Sequence, residues 1–275
     1  MARLAAFYEK MGNAQRALRR RVITLYRPCA SSVPIFIMGC QRSGTKMVRR
    51  AFARSLNATV IYRSDDGVFS PDNRLRSVSE IRDASARSRT LVTVFKPMME
   101  MQNTRKYLDE LPQLRVLWIL RDYGDVVNSC ARRWNTMRGY LLEVARDPER
   151  AAWYGENLSQ DNLALVRDLI TPESSLESAY ALFWFLRNSF FFEYELHREE
   201  RVRLFRYEDL VRDPGQGFDE MFSFCGCPYR RSVIKEVDPT FIARHPQPLI
   251  DPRIEALCRS LSARFDALRQ TPSRG

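Results

Sequence analysis

Arg42, Ser43, Gly44, Thr45 and Lys46 follow the apolar run Val33 to Met38 and lead into MVRRAFARSL, whose apolar residues recur at helical spacing. A glycine-bearing turn between a buried strand and a helix N-terminus points successive backbone N–H groups outward. It does so at the positive end of the helix dipole, a favourable place for phosphate or sulfate. Gly39 opens this cradle, and Arg42 and Lys46 add full charges to it. The order Gly39, Gly44, Thr45, Lys46 departs from the G-x-x-x-x-G-K-[ST] of nucleoside triphosphatases, because the hydroxyl that would hold magnesium is missing after the lysine. The loop is therefore expected to take an anionic group without a metal.

A second apolar strand, Arg115 to Leu120, stops directly before Arg121, and a helix beginning near Asp122 carries Ser129 about two turns in. Alone, Arg121 could pair with Asp122 or Asp125, and Ser129 could bond its own backbone. Their joint spacing argues for a shared task. A third strand, VRLFRYEDL, runs from Val202 into Tyr207 and Glu208.

These three segments resemble the sulfotransferases that use 3′-phosphoadenosine 5′-phosphosulfate. In that family an R-S-G-T loop holds the 5′-phosphosulfate, here Arg42 to Thr45, and an arginine with a serine eight positions later holds the 3′-phosphate, here Arg121 and Ser129. VTVFKPMMEMQNTRKYLDELPQLRVLWILRD is similar to the strand, Lys-Pro turn and helix of the tyrosylprotein and carbohydrate branches, which gives Lys96 the lysine position. RYEDLVRDP matches a later strand whose tyrosine lies near the adenine, here Tyr207. A late-loop arginine caps the 3′-phosphate, a role for Arg244 with Arg230 and Arg231 as competitors. The resemblance spans roughly Pro34 to Leu268. It departs at Lys46, where a second hydroxyl is usual, and at Met98, where the cytosolic branch carries its catalytic histidine.

Sulfuryl transfer requires a proton acceptor and donors to the oxygen that bridges phosphate and sulfate. Lys96 and Arg42 are the expected donors. The resemblance places the base just after the second strand, at Asp66, with Asp65 next and Glu80 weaker, although Asp-Asp-Gly is also ordinary turn chemistry. His245 is a remote alternative.

At 275 residues and 45% apolar content, the chain can bury one large core. Alternating strands and helices predict an α/β, P-loop-like three-layer sandwich, with a parallel sheet of about four to five strands and helices on both faces. The expected organisation is a basic amphipathic helix over 1–30, one domain over 31–270 with a helical insert at about 135–171, and a tail at 271–275. The net charge of +11 is concentrated in that first helix, where seven basic residues face Glu9 alone. It either packs on the domain or lies on an anionic membrane surface, and nucleic acid is not expected. No run approaches the roughly 18 apolar residues of a spanning helix. Six scattered cysteines indicate reduced thiols and a cytoplasmic setting, with no metal site. The acceptor is a small molecule, carbohydrate or peptide bearing a hydroxyl or amine. The competing readings are a P-loop kinase and a non-catalytic basic binding module.

Overall fold

The computed structural model describes residues 31–62, 67–235, 237 and 246–270. The expected basic helix at 1–30 and the tail lie outside the described residues. Val33–Met38 forms β1, and Ala58–Ile61, Val92–Phe95, Arg115–Leu120 and Val202–Arg206 form β2 to β5. All pairings are parallel, in the order β2-β3-β1-β4-β5. The inner strands β1, β3 and β4 are buried on both sides because both faces are covered, whereas the edge strand β5 carries Arg203 and Arg206. Along β1, Ile35 and Ile37 join one core while Phe36 and Met38 join the other, as the two-residue period of a strand requires.

Against the first face pack α1 (Thr45–Arg54) and, later in the chain, α9 (Pro214–Phe224), with the rings of Phe52 and Phe222 stacked at 4.4 Å. The other face carries α2 (Val78–Arg87), α3 (Thr104–Glu110), α4 (Tyr123–Ala131), α7 (Leu176–Glu193) and α10 (Pro252–Gln270). Between α4 and α7, the helices α5 (Met137–Arg146) and α6 (Gln160–Leu169) occupy the expected insert. The result is an α/β three-layer sandwich around five parallel strands.

Two expectations shift. The pattern carried the last strand through Tyr207 and Glu208, whereas β5 stops at Arg206 and Tyr207 opens α8 (Tyr207–Arg212). Glu208 and Asp209 in the first turn complement the positive end of that helix, which outweighs the apparent continuation of the strand. The run from Ser178 to Arg198, rich in Phe and Trp, reads as one buried helix, whereas α7 ends at Glu193, and Glu195 takes a left-handed φ of 51°.

A buried polar cluster joins the insert to the sheet. Glu100, only 1% exposed, accepts from Arg74 Nε at 2.6 Å, Leu75 N at 3.1 Å, Asn103 Nδ2 at 2.9 Å and the Tyr107 hydroxyl at 3.0 Å. Burial and this neighbouring carboxylate push the Tyr107 phenol well above its ordinary range. Glu156, from the insert, accepts from Arg74, Gln102 and Asn103, and Gln102 Oε1 in turn accepts from the buried Arg187 at 3.1 Å. Removing Glu100 leaves the Leu75 N–H and the buried Tyr107 hydroxyl without their acceptor, while Arg74 keeps only Glu156. Glu100→Ala is therefore expected to cost about 3–5 kcal/mol in urea unfolding. Arg150→Ala, which breaks an exposed pair with Asp147, should stay within about 0.5 kcal/mol.

Candidate active site

Strand order reverses around β1, and in such sheets the carboxyl ends beside the reversal form the crevice. The turns leaving β3, β1 and β4 carry Lys96, Gly39 to Gly44 and Arg121 respectively. Gly39 permits the close approach of β1 to β4, since a Cβ there would stand 2.6 Å from the Ile119 carbonyl oxygen. At Gly44, with φ +90°, a Cβ would collide with the Tyr207 ring. The loop thus rests on Tyr207 and turns into α1. This helix has no side-chain cap and no acidic residue in its first turn. By contrast, α4 is capped by Asp122, which accepts from Asp125 N at 3.0 Å.

The loop after β1 and the segment carrying Arg121 and Ser129 meet. Arg42 Nε donates to Ser129 Oγ at 2.8 Å, and Arg121 Nη1 donates to the Arg42 carbonyl at 3.3 Å. Arg121 also pairs with Asp125 at 3.0 Å, and its guanidinium carbon lies 4.4 Å from the centre of the Tyr207 ring. The pairing with Asp125 holds the guanidinium toward the loop. Gln41 Nε2 reaches the Met98 carbonyl at 3.4 Å and so connects the loop to the Lys96–Pro97 turn.

A cavity of about 400 Å³ results, lined by Gly39, Arg42, Gly44, Thr45, Lys46, Lys96, Arg121 and Tyr207 among others. Ser43 lies buried beneath it, and its Oγ has no hydrogen-bond partner among the described residues. The cations crowd one another. Arg50, then partial burial, Arg49, Arg42 and Arg133 lower the Lys46 ammonium below its ordinary value. Burial, then Arg49 and Lys46, brings Lys96 down to about 8. This arrangement costs energy when empty and suits a polyanion.

Of the residues expected from sequence, Asp65, Asp66, Arg244 and His245 lie outside the described residues. Glu80 sits in a capping box, where its N–H is accepted by Ser77 Oγ at 3.2 Å and its carboxylate accepts from the same hydroxyl at 2.8 Å. That bond accounts for its place at the start of α2. Sequence reasoning missed Arg50, Arg54 and Trp134 in the cavity wall. The first two follow Lys46 at intervals of four on α1, a signal that was available.

Arg42 holds a positive φ of 71° without being glycine. Arg42→Gly is expected to leave unfolding stability unchanged or raise it by up to about 1 kcal/mol, because it relieves a left-handed residue. Gly44→Ala should lose about 2 kcal/mol or more. Urea denaturation of the two variants checks the opposite signs.

No curated protein sequence matches the chain. Among solved structures, a sulfotransferase from Alicyclobacillus acidocaldarius superposes with a TM-score of 0.51 at 18% identity, covering 87% of this chain and 96% of that one. The sulfotransferase domain from the curacin biosynthetic pathway gives 0.49 at 14% identity, with 84% and 99% covered. A mouse sulfotransferase complexed with PAP gives 0.43 at 12% identity, with 86% and 82% covered. At 18% identity the first of these establishes a shared fold. The model of the sulfotransferase domain family matches residues 33–247, a span that takes in the loop, Lys96, Arg121, Ser129 and Tyr207. With most of its length matched in this way, the chain belongs to the sulfotransferase family and is a transferase that moves a sulfuryl group from 3′-phosphoadenosine 5′-phosphosulfate.

Proposed function

We propose that the 5′-phosphosulfate of the donor sits over Gly39 to Lys46 and its 3′-phosphate at Arg121 and Ser129, with Tyr207 beside the adenosine. The observation that carries this assignment is the direct contact of Arg42 with Ser129 and of Arg121 with the Arg42 carbonyl. One bisphosphorylated nucleoside can therefore touch both segments. The uncapped N-terminus of α1, the unpartnered hydroxyl of Ser43 and the crowded cations suit that ligand. Arg244 joins the 3′-phosphate end in this reading. Its support is Pro246, two residues on, whose carbonyl accepts from Asn128 beside Ser129 at 2.9 Å.

When bound, the donor supplies an activated sulfuryl group whose bond to phosphate breaks as the bond to the acceptor oxygen or nitrogen forms. Lys96 and Arg42 donate toward the oxygen on which charge collects. Asp66, or Asp65 next to it, takes the acceptor proton. Ile61 pairs with Phe95, so the chain leaves β2 beside Lys96, and the carboxylates follow a few residues later. The acceptor is a small molecule, carbohydrate or peptide bearing a hydroxyl or amine. We read 31–270 as one catalytic domain and 1–30 as the segment for any contact with an anionic membrane surface. No helix among the described residues is long and apolar enough to cross a membrane. The cysteines of the described residues are all free thiols, which supports a cytoplasmic setting.

Calorimetric titration tests the donor assignment. Wild type should bind 3′-phosphoadenosine 5′-phosphate more tightly than ATP, and Arg121→Ala and Ser129→Ala should each weaken it at least about ten-fold. Equal affinity for ATP, or indifference to both variants, overturns the assignment.

Lys96 gives a second test. In the empty protein its ammonium deprotonates above about 8, whereas the unfolded chain keeps the proton to the ordinary 10.5. Stability of the empty protein should therefore rise across that window. A bound anion favours the charged form, so binding near pH 9 should take up a proton, visible as a dependence of binding heat on buffer ionisation enthalpy. Lys96→Arg, charged throughout, should lose that dependence.

A further inference from the structure

The ladder between β4 and β5 ends at Leu120 and Arg206, so the peptide unit joining Arg121 to Asp122 is the first beyond the sheet and has no strand to hold it. Both of its polar atoms are nevertheless engaged, each by a side chain from a different helix. The Arg121 carbonyl accepts from Trp184 Nε1 at 3.0 Å, and Asp122 N donates to Glu208 Oε1 at 2.9 Å. Trp184 lies on α7 and is 1% exposed, while Glu208 is the second residue of α8 and is partly buried. The residue before Glu208 is Tyr207, whose ring lies against the Arg121 guanidinium. Adjacent residues of one short helix thus hold the backbone and the side chain of the same arginine.

A peptide unit fixed at both atoms cannot rotate, and the direction in which Arg121 leaves the backbone is set before any ligand arrives. That direction matters because a displacement of about 1 Å at a binding group can cost a hundred-fold in function. Burial raises the Glu208 carboxyl above its ordinary value, yet an acceptor oxygen faces Asp122 N in either protonation state.

We propose that Trp184 and Glu208 are positioning residues for the 3′-phosphate end of the donor site, acting through the Arg121–Asp122 peptide. This rests on the donor assignment made above. A merely structural role would weaken every ligand together or lower stability alone. A positioning role weakens only ligands that carry a 3′-phosphate.

The test is calorimetric binding of 3′-phosphoadenosine 5′-phosphate and of adenosine 5′-phosphate to wild type, Trp184→Phe, Glu208→Ala and Glu208→Gln, with thermal melts of each. In the expected result, Trp184→Phe and Glu208→Ala weaken the bisphosphate about ten-fold or more and leave the monophosphate within two-fold. Glu208→Gln, which keeps an acceptor oxygen, should stay near wild type. Should Glu208→Ala fail to fold, Trp184→Phe still reads the same ratio, because it keeps an aromatic ring near Tyr123 while removing the Nε1–H donor with part of the indole, and the thermal melts report the cost of the gap it leaves. Wild type that does not prefer the bisphosphate would overturn the donor assignment itself. Wild type that prefers it, with variants that keep the same preference or lose both ligands equally, would overturn the positioning role alone.

Discussion

The pairing of β1 with β4, Ile37 opposite Leu117 and Met38 opposite Trp118, brings two strand ends side by side, and the charges of the site are placed by it. Gly39 lets the first strand end pass against the Ile119 carbonyl. Arg42 can then reach Ser129 on the helix after β4, and Arg121 can reach back to the loop. Moving either strand by one residue would turn its core residues to the wrong face, so the core itself enforces the register on which these contacts depend. The electrostatic strain of gathering several cations is carried by that well-packed sheet. Its trace is the lowered ammonium of Lys46; at Lys96 burial is the larger cause, with Arg49 and Lys46 adding to it.

Helix α7 ties the turn at Arg121 to the helical insert. Trp184 reaches the Arg121 carbonyl, and one turn later Arg187 reaches Gln102 and the carbonyls of Trp153 and Tyr154. Burial lowers the Arg187 guanidinium to about 10, although it stays charged at neutral pH. It is compensated by neutral oxygens and by the rings of Trp153, Phe183 and Phe190. The carboxylates of the cluster belong mainly to Arg74, and Gln102 bridges the buried Arg187 and the partly exposed Glu156. Gln102 also donates to the Met99 carbonyl, so the insert and the segment after Lys96 share one hydrogen-bond network.

What could be read in the sequence was local. A strand, a glycine turn and a helix in succession announce themselves within twenty residues, and Arg121 with Ser129 spans a single strand-to-helix junction. The YEDL segment misled because a β-rich run flows straight into it, and only the dipole of the new helix, met by Glu208 and Asp209, ends the strand. Glu80 was legible as a carboxylate, whereas its bonds with Ser77 at the start of α2 are what the structure adds. Trp184, Glu208 and Arg187 were invisible as site residues for a different reason. Their partners lie 33 to 86 positions away, and no spacing rule joins them.

The strand order also governs how this chain must come off the ribosome. Val33–Met38 is made first of the strands but lies in the middle of the sheet, with β3 on one side and β4 on the other. Its backbone amides and carbonyls have no ladder until Val92–Phe95 and Arg115–Leu120 have both been synthesised. A fully apolar strand therefore waits without a partner while the next elements emerge, and closing its contacts costs the entropy of long loops. The loop that follows it is the earliest part of the cavity to be translated, and its contacts with Arg121 and Ser129 wait for β4 and the helix after it. Non-local parallel pairing of this kind favours slower assembly than local contacts would, and leaves the central strand open to other partners in the meantime.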